Sequence, residues 1–220
     1  MAMYKLFLFD FDLTLADGSQ WIVDCYQQVL QRHGFYGVSR EEAKRTIGLT
    51  VENSFQVMTG ITDPAALHAL REEYREVCRP QMAAHTFLFD DARRFLLSVR
   101  QAGVQLGIVS TKQSLVIRQS LQRWELEPLF SLVFGLNEVG EPKPSPMGLL
   151  RAMAQLQVEP QQTLYFGDST VDAQAAQRAG VGYVGVAKGM HTVAELAAYP
   201  HVAVAESYDR LSGLLSGLGQ

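Results

Sequence analysis

The chain has 220 residues, 47% of them hydrophobic and 19% charged, a balance typical of a globular protein with a substantial core. One large domain, or one domain carrying a smaller insertion, fits this length. The formal net charge of -4 provides no strong positive field, so it argues against nucleic acid and acidic membrane surfaces as partners.

The first predicted element is a short strand at residues 4–9. This segment is apolar apart from one lysine and ends in an acidic turn, as expected of a strand that is buried on both faces. The apolar stretch before the first acid has only four residues, too few for a signal-peptide core, and no later segment reaches membrane-spanning length. We therefore expect a cytoplasmic protein with no membrane partner.

The turn after this strand carries Asp10 and Asp12. Two carboxylates so close together at the end of a buried strand repel each other unless a cation or a positive side chain lies between them. A solvated acidic turn is the alternative interpretation. The apolar strand disfavours it, because both acids would have to reach bulk water.

Residues 18–84 show no convincing strand pattern. Apolar residues recur at helical spacing instead, and they predict helices at residues 19–33, 39–46, 51–58 and 64–77. Ser39 and Glu42 form a capping box, and Asp63 followed by Pro64 favours a helix start. We predict a small all-helical insert that lies as a lid above the crevice of the main domain.

The remainder of the chain alternates strands with helices. Apolar runs predict further strands at residues 104–109, 132–134, 164–166 and 183–186, and helical patterns lie at residues 91–101, 114–124 and 146–156. This alternation predicts an α/β fold, with a parallel-sheet, Rossmann-like core and an inserted all-helical cap. We expect residues 1–17 and 85–220 to form the core domain and residues 18–84 to form the cap.

Two polar segments follow predicted core elements. Ser110 and Thr111 come directly after a strand, where hydroxyl and N–H groups can hold a phosphate, although such residues also cap helices. Lys143 lies between Pro142 and Pro144, which restrict the backbone and would position its ammonium group. A rigid surface loop is the alternative for this second segment.

Asp168 and Asp172 follow a later strand, one helical turn apart. Favourable charge at a helix N-terminus explains one of these acids better than both. These two acids, the acidic turn after the first strand, the hydroxyl pair Ser110–Thr111 and Lys143 all lie at or just beyond the carboxyl ends of predicted strands. This set suits phosphoryl transfer, and oxygen ligands without paired histidines favour Mg²⁺ over zinc.

These motifs together resemble those of haloacid dehalogenase-superfamily phosphatases, over essentially the whole chain. The resemblance is carried by an ordered set: Asp10-x-Asp12-x-Thr14, Ser110-Thr111, Lys143 and Gly167-Asp168-x-x-x-Asp172. It implies a Mg²⁺-dependent phosphatase that cleaves small phosphate monoesters, phosphorylated metabolites, through an aspartyl-phosphate intermediate. A phosphomutase resembling beta-phosphoglucomutase and a pyrophosphatase are the alternatives.

The resemblance implies a role for each matched residue. Asp10 would be the nucleophile, and Asp12 would be the general acid and base, oriented by Thr14. Lys143 would neutralise the charge shared by Asp10 and the phosphate. The phosphate oxygens would be bound by the Ser110 side chain and the Thr111 backbone.

The implied magnesium ligands are the Asp10 carboxylate, the Asp12 backbone carbonyl and the Asp168 carboxylate, with Asp172 beside them. Leu13 departs from the pattern, because many relatives carry glycine there, and it bears on the shape of the turn. Asp12 argues against a true dehalogenase, since those relatives lack an acid at this position and need no metal.

The insert resembles the cap of the phosphoglycolate phosphatase and beta-phosphoglucomutase branch. Arg45 begins the stretch 45–50, which falls where that cap meets the substrate, so it could reach a substrate carboxylate or hydroxyl. An exposed arginine at a helix end is the alternative. Phosphoglycolate, pyrophosphate, sugar phosphates and nucleotides stay open as substrates, with phosphoglycolate preferred, and the oligomeric state, monomer or homodimer, stays open too.

A receiver switch also gathers an aspartate, a hydroxyl residue and a lysine around magnesium. The order of its motifs is different, and Asp12 beside Asp10 favours rapid hydrolysis over a lasting phosphoryl signal. The two cysteines, Cys25 and Cys78, lie on apolar helical stripes, which favours buried thiols over a disulfide. The tail 211–220 shows only a weak helical pattern and has no predicted role.

Overall fold

The computed structural model describes residues 4–216. A six-stranded parallel sheet with the strand order β5-β4-β1-β6-β7-β8 forms its centre, and β2 and β3 form a separate antiparallel pair. The strands are β1 (Leu6–Phe9), β2 (Ala16–Asp17), β3 (Phe87–Leu88), β4 (Gln105–Val109), β5 (Phe130–Phe134), β6 (Thr163–Gly167), β7 (Gly182–Val186) and β8 (Ala203–Ala205).

Helices cover the sheet and form the insertion. They are α1 (Ser19–Arg32), α2 (Arg40–Arg45), α3 (Val51–Thr59), α4 (Pro64–Met82), α5 (Asp90–Gln101), α6 (Ser114–Arg123), α7 (Leu136–Val139), α8 (Met147–Leu156), α9 (Thr170–Ala179), α10 (Val193–Ala197) and α11 (Tyr208–Ser216). This arrangement confirms the predicted α/β class with an inserted helical cap. In the described part of the chain, no helix has the length and apolar composition needed to cross a bilayer.

Strand β1 lies at the middle of the sheet, paired in parallel with β4 on one side and β6 on the other. The sheet is then extended by β5 beyond β4, and by β7 and β8 beyond β6. Because the winding of the chain reverses at β1, the crevice beyond its carboxyl end is the natural ligand site of such a sheet. Residues after β1, β4 and β6 all reach this crevice.

The sheet is buried on both faces, which explains its nearly continuous apolar strands. One face packs an aromatic cluster in which Phe9 stacks on Phe166 and Phe95 packs against Tyr208. The other face packs Tyr165 and the aliphatic residues of β1 against α8 and α9. Helix α9 presents alanines to the sheet and therefore lies close to it: Ala173, Ala175, Ala176 and Ala179.

The insertion formed by α1–α4 has its own core. Tyr26 stacks on Tyr74 and meets Phe55 edge-on, so helices α1, α3 and α4 share one aromatic cluster. Cys25 and Cys78 are both buried in this core as free thiols. Strand β2 leads into the insertion and β3 leads out of it, and the two form a short antiparallel pair. The apolar pattern did not predict this pair. The domain bounds of 17/18 and 84/85 stay a prediction.

Local sequence signals place several helix ends. Ser39 and Glu42 form the predicted capping box, and the Asp63 side chain caps α4 through the Ala66 N–H. Helix α4 ends at Met82, beyond the predicted end at residue 77, since Met82 continues its buried face. Helix α11 covers residues 208–216 of the weakly patterned tail, and residues 217–220 lie outside the described residues.

Candidate active site

Three neighbouring strands place the main polar groups. Asp10 follows β1, Ser110 follows β4 and Asp168 follows β6, so that adjacent parallel strands bring them to the same edge of the sheet. Backbone hydrogen bonds continue the ladders past the strand ends, since the Asp10 N–H donates to Phe166 O over 2.9 Å and the Ser110 N–H donates to Phe134 O over 3.1 Å. The backbones of Asp10 and Ser110 are therefore held as firmly as the sheet itself.

The turn after β1 has an unusual backbone at Leu13. Its φ is 58°, in the left-handed region, where a residue with a side chain costs roughly 1–2 kcal/mol. Hydrogen bonds hold the turn: the Leu13 N–H donates to Ala16 O over 2.7 Å, and the Ala16 N–H donates to Phe11 O over 3.2 Å. The side chain of Leu13 is buried, and packing offsets part of the strain. The turn therefore forms without glycine.

Lys143 binds two carboxylates at the bottom of the crevice. Its Nζ lies 2.9 Å from Asp10 Oδ2 and 2.5 Å from Asp172 Oδ1. Side-chain oxygens of Asp10, Asp168 and Asp172 all lie within 4.8 Å of one another, and all three residues are buried. The predicted convergence of these groups is thus present in the fold. One lysine faces three carboxylates, so the cluster carries an excess of negative charge.

The three carboxylates differ in their hydrogen bonding. Asp172 accepts from Lys143, from the Tyr165 hydroxyl over 3.1 Å and from the Ser169 N–H and hydroxyl, so both of its oxygens have donors. Asp168 Oδ1 accepts from the Thr14 hydroxyl over 3.2 Å. Asp10 Oδ1, in contrast, is buried with no hydrogen-bond partner among the described residues. A free carboxylate oxygen in a negatively charged cluster fits a hard divalent cation with oxygen ligands.

Burial and mutual repulsion shift the acidity of this cluster. Burial raises the pKa of Asp10 to about 6, although the positive charge of Lys143 lowers it; the negative charge of Asp172 adds to the rise. Burial also raises the pKa of Asp168 well above its usual value, and the charges of Asp172 and Asp10 add to the effect. Burial alone would lower the pKa of Lys143, but Asp10 and Asp172 raise it above its usual value. Lys143 therefore stays charged at neutral pH.

The raised pKa of Asp10 predicts that the metal-free protein loses stability as pH rises. The folded carboxyl holds its proton up to a pKa of about 6 and the unfolded one up to 3.8, so its contribution is full below pH 3.8 and lost through pH 6. We expect Asp10 to account for about 2 kcal/mol of this loss between pH 4 and pH 7. Urea unfolding in chelator would measure it.

The control for this pH effect is the same titration in Asp10→Asn, which removes the titrating group and leaves the other acids in place. The difference between the two proteins should shrink when a divalent cation is present, because the ion stabilises the ionised form. Equal pH slopes in the two metal-free proteins would contradict the expectation.

Asp12 has a partner that sequence reasoning missed. Lys112 Nζ lies 2.9 Å from each carboxylate oxygen of Asp12, and the two side chains are 7% and 14% exposed. The only signal for Lys112 in the sequence was its position directly after Ser110 and Thr111. Thr14 contacts a different aspartate from the one expected, since its hydroxyl donates to Asp168 and not to Asp12.

The remaining predicted residues divide into two groups. Ser110 is buried beside Asp10, and its hydroxyl lowers the pKa of that acid. The Thr111 hydroxyl donates to Gly48 O over 3.0 Å. This bond joins the hydroxyl turn, Ser110–Thr111 after β4, to the cap loop, the segment between α2 and α3. Arg45, in contrast, is not brought to the cluster. Its side chain is 69% exposed and lies 3.9 Å from Glu41.

A cavity of about 100 Å³ lies between cap and core. Asp12, Thr111 and Lys112 form part of its core wall. The cap wall comprises apolar and aromatic residues of α1, α3 and α4 and two arginines of α4, Arg75 and Arg79. The cavity can therefore hold a small molecule next to the acidic cluster.

The chain resembles known proteins along nearly its full length. A family model described as haloacid dehalogenase-like hydrolase matches residues 7–186. The pyrophosphatase PpaX of Anoxybacillus flavithermus is 29% identical, across 96% of this chain and 95% of that protein. The phosphoglycolate phosphatase of Vibrio vulnificus is 28% identical, across 94% of each chain. Sequence similarity thus includes both the sheet and the inserted helices.

A solved structure from Bacteroides fragilis, which carries the name haloacid dehalogenase-like hydrolase, has the same fold. It superposes with a TM-score of 0.92 at 42% sequence identity, covering 94% of this chain and 99% of that one. The family match, the shared fold and the buried acidic cluster at the sheet edge agree with one another. The chain is an enzyme and belongs to the haloacid dehalogenase-like hydrolase family.

Proposed function

We propose that this protein is a Mg²⁺-dependent phosphatase that cleaves small phosphate monoesters through an aspartyl-phosphate on Asp10. The observation that carries the proposal is the state of Asp10, which is buried, held by Lys143 on Oδ2 and free of partners among the described residues on Oδ1. A carboxylate oriented in this way can act as a nucleophile. Membership of the hydrolase family supports the same reading.

The proposed first step is attack by an Asp10 oxygen on the phosphorus. The bond from phosphorus to the leaving oxygen breaks, and Asp12 gives that oxygen its proton. Lys143 neutralises negative charge on Asp10 and on the transferring group, while Ser110 and the Thr111 backbone bind phosphate oxygens. The location of Ser110 at the end of the neighbouring strand supports its role.

The proposed second step returns Asp10 to its starting state. Asp12 takes a proton from a water molecule, the water oxygen bonds to phosphorus, and the bond from phosphorus to the Asp10 oxygen breaks. Inorganic phosphate leaves. The Lys112 pair holds the Asp12 carboxylate at the mouth of the cavity, where both proton transfers take place.

The metal would be held by the Asp10 and Asp168 carboxylates and the Asp12 backbone carbonyl, with Asp172 beside them. When bound, Mg²⁺ supplies positive charge that lets an anionic nucleophile approach an anionic phosphate. The saturated hydrogen bonding of Asp172 supports a different part for this residue, namely fixing Lys143 and the start of α9. Thr14 would orient Asp168.

Residues 18–84 are proposed as a cap domain that closes over a core of residues 1–17 and 85–220. The hydrogen bond between Thr111 and Gly48 supports closure, because it joins the hydroxyl turn to the cap loop. Arg45 is proposed to reach the substrate only when this loop moves, since its side chain is exposed in the present arrangement.

Metal removal provides the first test of this function. We expect chelator to lower phosphate release by at least about 100-fold and Mg²⁺ to restore it, because the excess carboxylate charge otherwise repels the substrate. The assay measures inorganic phosphate from a panel that includes phosphoglycolate, pyrophosphate, sugar phosphates and nucleotides. Unchanged activity in chelator would contradict the metal-dependent mechanism.

Pyrophosphate is the second candidate substrate, because the PpaX relative is as similar to this chain as the phosphoglycolate phosphatase is. The same panel separates the two through their relative kcat/KM values. A sugar 1-phosphate that is isomerised without release of phosphate would favour the phosphomutase alternative.

A further inference from the structure

The cavity between cap and core reaches the core at the acidic turn after β1. Its core wall includes Asp12, Thr111 and Lys112, but Asp10 is not among the lining residues. In the proposed function, which this inference takes as its basis, Asp12 protonates the leaving oxygen. The cavity that begins at Asp12 is therefore the place of the leaving group, the part of the substrate that distinguishes one phosphate compound from another.

Most of the cavity wall is apolar or aromatic. Its cap side includes Ile22, Tyr26, Ile47, Val51, Tyr74 and Met82. The charged lining residues are three cations, Arg75, Arg79 and Lys112, and one acid, Asp12. The excess of positive charge suits a leaving group that carries negative charge.

Two of the three cations already have partners. Lys112 pairs with Asp12 at 2.9 Å. Arg75 pairs with Glu72 at 2.9 Å, and the Gln113 amide oxygen, in the orientation that satisfies both groups, accepts from Arg75 Nε over 3.1 Å. Arg75 therefore joins α4 to the core.

Arg79 differs from these two cations. It lies one helical turn after Arg75 on α4 and lines the same cavity. Within residues 4–216, neither an ion pair nor a hydrogen bond engages its guanidinium group. Arg79 is exposed, lines the cavity and has five N–H donors without a partner among the described residues, so it can bind a planar carboxylate or a phosphate.

We propose that Arg79, supported by Arg75, binds a second anionic group on the leaving group. The substrate class is then a small phosphate ester or anhydride in which a carboxylate or another phosphate lies a few atoms from the bond that breaks. The cavity of about 100 Å³ is of a size for a small leaving group. Arg79 thus determines specificity, while the cluster around Asp10 carries out the reaction.

The test compares three compounds of similar size: phosphoglycolate, pyrophosphate and 2-hydroxyethyl phosphate, whose leaving group is neutral. We expect Arg79→Gln to lower kcat/KM for at least one anionic compound by about 10- to 100-fold, the effect of one charged hydrogen bond. Hydrolysis of 2-hydroxyethyl phosphate should change by less than about threefold. The more affected of the two anionic compounds identifies the group that is bound, and Arg79→Lys should recover part of the loss.

Arg71→Gln is the matched control. Arg71 lies on the same helix, but it pairs with Glu52 and Glu72 and does not line the cavity, so the ratio of anionic to neutral activity should stay unchanged. A wild-type enzyme that shows no preference for the anionic compounds, or an Arg79→Gln variant that loses all three activities equally, would overturn the proposal and leave the phosphatase function intact.

Binding measurements test the Arg79 subsite separately from the proposed phosphatase function. Calorimetric titration of the same compounds into Asp10→Asn, with and without Arg79→Gln, measures the anion subsite when no chemistry occurs. Weaker binding of the anionic compounds in the double variant supports the subsite even if the wild type hydrolyses none of them, an outcome that would reject only the phosphatase. Equal binding in the two variants overturns the subsite.

Discussion

Asp10→Asn should abolish phosphate release, lowering kcat by at least about 10⁴-fold. The amide has the shape of the carboxylate but cannot form the aspartyl-phosphate. The loss should not come from unfolding, because burial raises the pKa of Asp10, and removing a buried charge that has a free oxygen relieves repulsion in the cluster. We expect the metal-free variant to be at least as stable as the wild type at pH 7. Phosphate release and urea unfolding measure the two effects.

Asp17→Asn is the control for this substitution. Asp17 Oδ1 accepts from the Ser19 N–H over 2.8 Å, and an asparagine oxygen can accept the same bond, so activity should be kept. The Asp10 prediction would be contradicted by a variant that keeps a tenth or more of the wild-type kcat. Such a result would also remove the reason to assign Asp10 as the nucleophile.

Lys143→Met should produce the largest loss of stability. Lys143 is the cation shared by Asp10 and Asp172, its side chain is 6% exposed, and its removal leaves buried carboxylates without compensation. Removing one partner of a buried ion pair lowers the free energy of unfolding by about 3–5 kcal/mol. We also expect phosphate release to fall by at least about 100-fold, because charge on the phosphate is no longer neutralised. Urea unfolding in chelator gives the free energy of unfolding directly.

Two comparisons make the Lys143 result specific. Added Mg²⁺ should recover part of the stability, since the ion compensates the same carboxylates. Arg94→Met removes an arginine that pairs with Asp209 at 2.7 Å, and both side chains are more than half exposed, so water solvates Asp209 when the arginine is gone. This control should cost about 1 kcal/mol or less. Equal losses in the two variants would contradict the account of the cluster.

Much of the candidate site was predictable because its signals are local. Each of Asp10, Ser110 and Asp168 directly follows a short apolar run, and such runs between helical patterns indicate parallel strands. Parallel strands of one sheet end at the same edge, so residues at those positions must meet. The capping box at Ser39 and the start of α4 after Asp63 were also local signals. Shorter elements such as β2, β3 and β8 were missed, because two or three residues carry no measurable periodicity.

Partner choice was not predictable in the same way. Lys112 lies 100 residues from Asp12 in the chain, and Thr14 lies 154 residues from Asp168. Which acid each contacts depends on where its side chain points once the turns have formed. The location of Arg79 at the cavity was not predictable either. From sequence alone, an arginine on a helix is expected to be a solvated surface residue.

The amino-acid sequence alone determined the α/β class, the helical insertion and the edge of the sheet at which the acids and Lys143 meet. These follow from hydrophobic periodicity and from the short-range steric rules of strands, helices and caps. Only the tertiary structure decided that Lys143 binds two aspartates, that one oxygen of Asp10 has no donor among residues 4–216, and that Arg79 of α4 lines the cavity between cap and core. The reason is physical: these features depend on segments far apart in the chain, and their relative positions are set by tertiary packing, which no local pattern records.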